Sequence, residues 1–133
     1  MHTVSFEVRD SELDAQGVVN NANYFVYMEH ARHKFIEEIG INFVEMAKNG
    51  QNLFLISSQL EFKHSLRSMD YFVVETVLVP EGRVRFGFKQ VVKKLDGTVV
   101  VIGYNICVCI DENNRRRPYL PEQIIKAFAL SNA

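Results

Sequence analysis

The sequence predicts an α+β fold, a curved antiparallel sheet of about five strands wrapped around one long helix. Three observations carry this. The stretch from about Ala22 to Ile39 keeps a helical period over roughly five turns. Several later stretches have strand length and strand patterning, and short turns join them; hairpin connections make an antiparallel sheet. The only large apolar object available to cover that sheet is the helix, so the two must pack together.

The elements follow in order. Thr3 to Arg9 alternates, with Val4, Phe6 and Val8 on one side and Ser5 and Glu7 on the other, as a half-buried strand does. Asp10 to Asn20 is a polar loop with one glycine. From Ala22 the period changes: Phe25, Met28, Phe35, Ile36 and Ile39 fall on one helical face, His33, Lys34, Glu37 and Glu38 on the other. Gly40 ends this helix, whose ~17 residues span roughly 25 Å. A short helix is expected over Phe43 to Lys48, ending at Asn49-Gly50.

Leu53 to Lys63 reads as the second strand and Tyr71 to Val79 as the third, closed by Pro80-Glu81-Gly82. Val84 to Lys94 is the fourth, closed by Leu95-Asp96-Gly97, where Asp-Gly signals a tight hairpin. Thr98 to Ile110 is the fifth. Its residues Val100, Ile102, Tyr104, Ile106, Val108 and Ile110 form one long apolar face. Val99, Val101, Gly103, Asn105, Cys107 and Cys109 form the other, so the strand should be central. Pro121 opens a short C-terminal helix reaching about Leu130.

Composition narrows the function. A chain of 133 residues, 47% hydrophobic and 23% charged, is expected to fold as one domain spanning 1–133. A net charge of −1 argues against a general nucleic-acid binder. No apolar run approaches the ~20 residues that span a bilayer, and the N-terminal segment lacks the basic start and apolar core of a signal peptide, so the cytoplasm is the expected compartment. Cys107 and Cys109 share one side of a strand, where a disulfide would be strained and two sulfurs make a poor zinc site. Reduced, packed thiols are expected, and no metal.

The chemistry concentrates in Asp14-Ala15-Gln16-Gly17-Val18-Val19-Asn20-Asn21-Ala22-Asn23-Tyr24. An acidic residue and a glycine sit in a loop, and three asparagines crowd the start of the helix. Asparagine is a favoured cap, and the first helical N–H groups lack internal partners and carry partial positive charge. Such a helix start polarises a carbonyl, and a nearby carboxylate could attack it or activate a water. That combination suits acyl transfer.

With those residues in view, the chain resembles the hotdog-fold thioesterases of the 4-hydroxybenzoyl-CoA type. It is also similar to bacterial acyl-CoA thioesterases and to plant-type acyl-carrier-protein (ACP) thioesterases. The resemblance rests on the opening strand Val4-Ser5-Phe6-Glu7-Val8-Arg9, the loop Asp14 to Val19, and the helix Asn23-Tyr24-Phe25-Val26-Tyr27-Met28-Glu29, in that order and spacing. The Asn20-Asn21 pair is like the carrier-protein branch, and Leu60-Glu61-Phe62 with the loop to Asp70 matches the family's second strand and turn. Two features depart from it. The loop His64-Ser65-Leu66-Arg67-Ser68-Met69 lacks the proline and glycine common there, and no histidine stands between Val18 and Asn23. The histidine and carboxylate pair of hotdog dehydratases is not found either.

The resemblance implies roles. Asp14 takes the position of the catalytic aspartate, as nucleophile or general base, although aspartate also caps turns. Asp10 and Glu12 are read as solvated. Asn21 is the expected source of the carbonyl-polarising backbone N–H, with Asn20 and Ala22 as neighbours in that role, and Gly17 allows a tight loop or a close substrate approach. Glu29 resembles the catalytic glutamate of a second hotdog family; its other reading is a pair with Arg32. Ser57 and Ser58 are candidates to touch the acyl group or a water, and Tyr24 to line the acyl pocket or serve as core. His64, Ser65, Arg67 and Arg85, with Arg115-Arg116-Arg117 as a second set, are candidates for coenzyme A phosphates, each also readable as solvated surface.

The expected activity is hydrolysis of acyl-CoA or acyl-ACP, with no cofactor beyond the coenzyme A of the substrate. By analogy a homodimer or tetramer is expected. A non-catalytic acyl-thioester binder and a structural partner domain are the alternatives.

Overall fold

The computed structural model describes residues 1–113 and 117–131; Arg115 and Arg116 lie outside the described residues. Strand β1 (His2–Glu7) leads through a 3-10 turn (Asp10–Glu12) into helix α1 (Asn21–Glu38) and the short α2 (Phe43–Lys48). Then come β2 (Gln51–Phe62), β3 (Tyr71–Glu81), β4 (Arg85–Lys94), β5 (Val99–Asp111), β6 (Arg117–Tyr119) and α3 (Glu122–Ser131). The strands form one antiparallel sheet in the order β1-β3-β4-β5-β2, with β6 paired to the end of β5. The sheet curls around α1 in the hotdog layout that the resemblance implies. The three-residue β6 was not anticipated, because so short a run carries no period.

Helix α1 starts where its cap residue says it should. The Asn20 side chain accepts from Ala22 N at 2.9 Å. The helix closes with Gly40 N on Glu37 O and Ile41 N on Ile36 O at 3.1 Å. Its buried face holds Tyr24, Tyr27, Met28, Ala31, Arg32, Phe35 and Ile36. Phe25, expected on that face, lies just outside the stripe and is 43% exposed, whereas Arg32 lies inside it.

The core falls into two apolar clusters. One packs Tyr24, Tyr27 and Met28 on Phe72, Val74 and Val92; the other packs Phe35 and Ile36 on Leu78, Phe86 and Phe88, with Ile124 of α3. Buried Thr76, Gln90 and Asn105 also sit in the sheet beneath α1. Gln90 donates to Met28 O at 3.0 Å, so the helix is tied to the sheet there by a polar bond.

The alternation in β5 leaves open which of its faces meets the helix, and the structure decides it. The face of β5 under α1 is Val101, Gly103, Asn105, Cys107 and Cys109, the side with smaller and more polar residues. Gly103 marks the contact: a Cβ there would stand 2.7 Å from Met28 Sδ and Cε, so the end of the Met28 side chain fills the space over this glycine. Ile102, on the alternate side, is 43% exposed on the convex surface. Tyr104, also on that side, lies across Gly87 and bonds Glu81. The strand is central, flanked by β4 and β2.

Candidate active site

The site is built where β1 hands the chain to α1. Asp14 N donates to Val18 O at 2.8 Å and Gly17 N to Asp14 O at 3.0 Å, folding residues 14–18 into a closed loop. Gly17, at φ 79°, takes the left-handed turn that closes it, and no atom stands within 4 Å of a Cβ built there. The Asp14 Oδ1 atom accepts from Gln16 N at 2.8 Å and Val18 N at 3.4 Å. The side chain is exposed, and among the described residues its second oxygen has no hydrogen bond or ion pair. One oxygen therefore orients the carboxylate while the other stays open.

The three asparagines divide the work. Asn20 caps α1, and its own N–H is fixed on Glu12 O at 2.9 Å. Asn23 N returns to Asn20 O at 2.9 Å, and Asn23 Nδ2 reaches Glu12 O at 3.0 Å, clamping the first turn to the 3-10 turn. The amides of Ala22 and Asn23 are thereby used. Asn21 is exposed, and its amide carries no hydrogen bond among the described residues, so it is the open donor at the positive end of the helix dipole.

A second layer holds this junction. Val19 N donates to Leu66 O at 2.9 Å, and Leu66 N donates to Tyr24 Oη at 3.1 Å. Tyr24 is buried against Tyr27 and Phe62, and burial raises its phenol pKa, keeping it protonated. Its contacts are those of a brace between α1 and the segment 63–70. His64, Ser65 and Arg67 of that segment are exposed, and Arg67 bridges to Val18 of the loop 14–18. Arg85 is also exposed but stands at the opposite end of β4, paired with Glu81, so the single chain does not gather these four residues.

Glu29 lies eight residues after Asn21, about 12 Å along the helix. It does not pair with Arg32: that arginine turns inward, and its Nη1 donates to Gln90 Oε1 at 3.1 Å. Glu29 and Arg32 instead share the wall of a cavity of about 260 Å³ between α1 and the sheet. Beside it, β2 carries a bulge between Leu55 and Ser57. Just past the bulge Ser58 faces inward and donates to Asn105 Oδ1 at 2.6 Å, while Ser57 is on the alternate side.

Sequence reasoning missed Arg32, Gln90 and Asn105 as a set. The available signal was a polar residue on a period-two apolar face, as Gln90 is between Phe88 and Val92. Among the described residues no group of His, Cys, Asp or Glu could hold a metal ion. What the junction offers is a carboxylate oxygen and an unpaired main-chain N–H, with a second carboxylate two turns along the helix.

The profile of the "Thioesterase-like superfamily" matches residues 8–128. Two plant relatives cover most of the chain. The chloroplastic acyl-acyl carrier protein thioesterase ATL2 of Arabidopsis thaliana is 43% identical over 127 residues, 96% of this chain and 68% of that protein. The chloroplastic acyl-acyl carrier protein thioesterase ATL3 of the same plant is 39% identical over 129 residues, 96% of this chain and 67% of its own length. Among solved structures, a 1,4-dihydroxy-2-naphthoyl-CoA thioesterase from Synechocystis superposes with a TM-score of 0.90 at 16% identity, over 99% of this chain and 98% of that one. That last likeness concerns the fold alone.

Proposed function

Because the chain belongs to the thioesterase-like superfamily and is a thioester hydrolase, we propose that it releases a carboxylic acid from an acyl-CoA or acyl-ACP through Asp14 and the start of α1. The acyl carbonyl lies against the Asn21 N–H, which stabilises the oxyanion as it forms. In one route an Asp14 oxygen bonds the acyl carbon, the C–S bond breaks, and the thiolate leaves and takes a proton; water then cleaves the resulting anhydride. In the other, Asp14 takes a proton from a water as that water adds to the carbon, and the proton passes to the departing sulfur. Neither route uses a metal or a cofactor other than the carrier itself.

The observation that carries this reading is the division of hydrogen bonds at the helix start. Asn20, Ala22 and Asn23 are satisfied internally, while the Asn21 N–H and one Asp14 oxygen are left open beside one loop. An acyl-ACP carrier is supported by the plant relatives, which are acyl-acyl carrier protein thioesterases. Exposed His64, Ser65, Arg67, Arg85 and Arg117 suit the phosphates of CoA or ACP. No helix among the described residues is long and apolar enough to cross a membrane, and the two free, buried thiols suit a reducing compartment; we assign the cytoplasm.

The assembly proposed is a homodimer joined along β2. This strand ends the sheet order, runs for 12 residues, and exposes Phe54, Leu55, Ile56 and Phe62. A long apolar edge of this kind invites pairing. A tetramer built on the convex face around Ile102 is compatible with it.

A panel of acyl-CoA and acyl-ACP thioesters tests the reading. The wild type should turn over at least one, and Asp14→Asn should lower kcat by ~10² or more with the fold intact. A near-normal rate would transfer the role to Glu29, which Glu29→Gln would then reveal. Binding without turnover across the whole panel would make the protein an acyl-thioester carrier instead.

A further inference from the structure

We infer that Arg32 makes this protein select acyl groups bearing a neutral oxygen, a hydroxyl or oxo group remote from the thioester, over plain hydrocarbon chains of equal length. The inference rests on the thioesterase reading above and assigns its substrate class.

Arg32 is only 7% exposed, on the face of α1 that meets the sheet. A buried guanidinium ordinarily has a carboxylate partner, since an uncompensated buried charge is costly. Arg32 takes part in none of the ion pairs among the described residues. Of its five N–H donors, one forms a hydrogen bond among the described residues, Nη1 to Gln90 Oε1 at 3.1 Å. The guanidinium borders the 260 Å³ cavity, whose wall is otherwise mostly apolar, with Ile36, Leu53, Leu55, Phe86 and Phe88. A cation with spare donors at the edge of an oily cavity is poised to receive an oxygen.

The arginine is also held in place. Gln90 Nε2 donates to Met28 O and to Thr76 Oγ1, both at 3.0 Å. Gln90 Oε1 takes a second bond from Asn105 Nδ2 at 2.8 Å, and Asn105 is itself bonded by Ser58. The amide therefore cannot turn its oxygen away without losing several bonds. This row crosses the sheet from β3 to the β2 edge and fixes the one acceptor that Arg32 has among the described residues.

Two features define the ligand. Glu29 lines the same cavity, so an acyl group carrying a carboxylate would meet a like charge, whereas a neutral oxygen would not. Asn21 and Arg32 are eleven residues apart, which is about three turns, so they share a helix face some 16 Å apart along the axis. Arginine on a helix leans toward the N-terminus, which shortens that span. A medium-length chain whose carbonyl sits at Asn21 would bring a remote oxygen to the guanidinium.

The test uses uncleavable CoA thioethers, a series of ω-hydroxyalkyl and n-alkyl chains from hexyl to dodecyl, titrated into the full protein. At one chain length the hydroxylated ligand should bind the wild type about ten- to a hundredfold tighter than its alkyl twin, as for a hydrogen bond to a charged group. Arg32→Met should abolish that ratio and tighten the alkyl ligand, and Arg32→Lys should keep part of it. Equal or weaker binding of every hydroxylated chain by the wild type overturns the inference, whether or not Arg32→Met folds; so does a preference that survives in Arg32→Met. Turnover of the matching thioesters is measured separately. Preference without turnover would sink the hydrolase reading and leave this one, and turnover without preference would sink this one alone.

Discussion

Tyr24 illustrates what one hydroxyl does at the residue scale. It accepts the buried Leu66 N–H, and Leu66 O accepts Val19 N, so the hydroxyl ties α1 to the segment after β2, which in turn holds the end of the loop 14–18. Tyr24→Phe leaves the Leu66 N–H without a partner and should cost about 1–3 kcal/mol, read as a lower midpoint in urea. Cys107 offers a second test. Burial pushes its thiol up to about 11, and nearby Arg32 offsets this only in part. The reactive thiolate therefore appears only as pH climbs toward 11, and alkylation in the folded state should be slow at pH 8 and speed up above pH 10. Asp14 and Asn21 stand out in the sequence as candidates because they belong to one short contiguous motif. Arg32, Gln90 and Asn105 could not, because each is an isolated polar residue and only strand register brings them together.

At the scale of elements, α1 depends on its first residues. Asn20→Ala removes the side-chain bond to Ala22 N and should cost about 1 kcal/mol, with a loss of activity if the freed turn also shifts the Asn21 amide. Strand β5 is the more instructive case. Its length and its hairpin were evident in the period and in Asp96-Gly97, yet the face that meets the helix was not. Both sides of the strand are apolar enough to be buried, and hydrophobicity does not choose between them. Size does, because Met28 needs the space above Gly103. Gly103→Val should therefore lose about 1–3 kcal/mol by overpacking. Adding Met28→Ala should return part of it, and a double-mutant cycle in chemical denaturation measures the coupling.

At the scale of the whole molecule, the β2 edge decides the assembly. A charge or a proline there should prevent strand pairing, so Ile56→Asp or Ser57→Pro is expected to give monomers by sedimentation. The local hairpins made β3, β4 and β5 neighbours on sequence evidence alone. The placement of β1 and β2 at opposite margins was not readable, because both reach the sheet through long connections that no turn motif describes. The pairing of His2 with Thr76 and of Glu7 with Tyr71 has a consequence for how the chain comes into being. The amino-terminal strand has no ladder to join until residues some seventy positions later have been synthesised. On the ribosome the loop between β1 and α1 is thus made early and shaped late, and its geometry waits for the carboxyl-terminal half to supply the surface on which it settles.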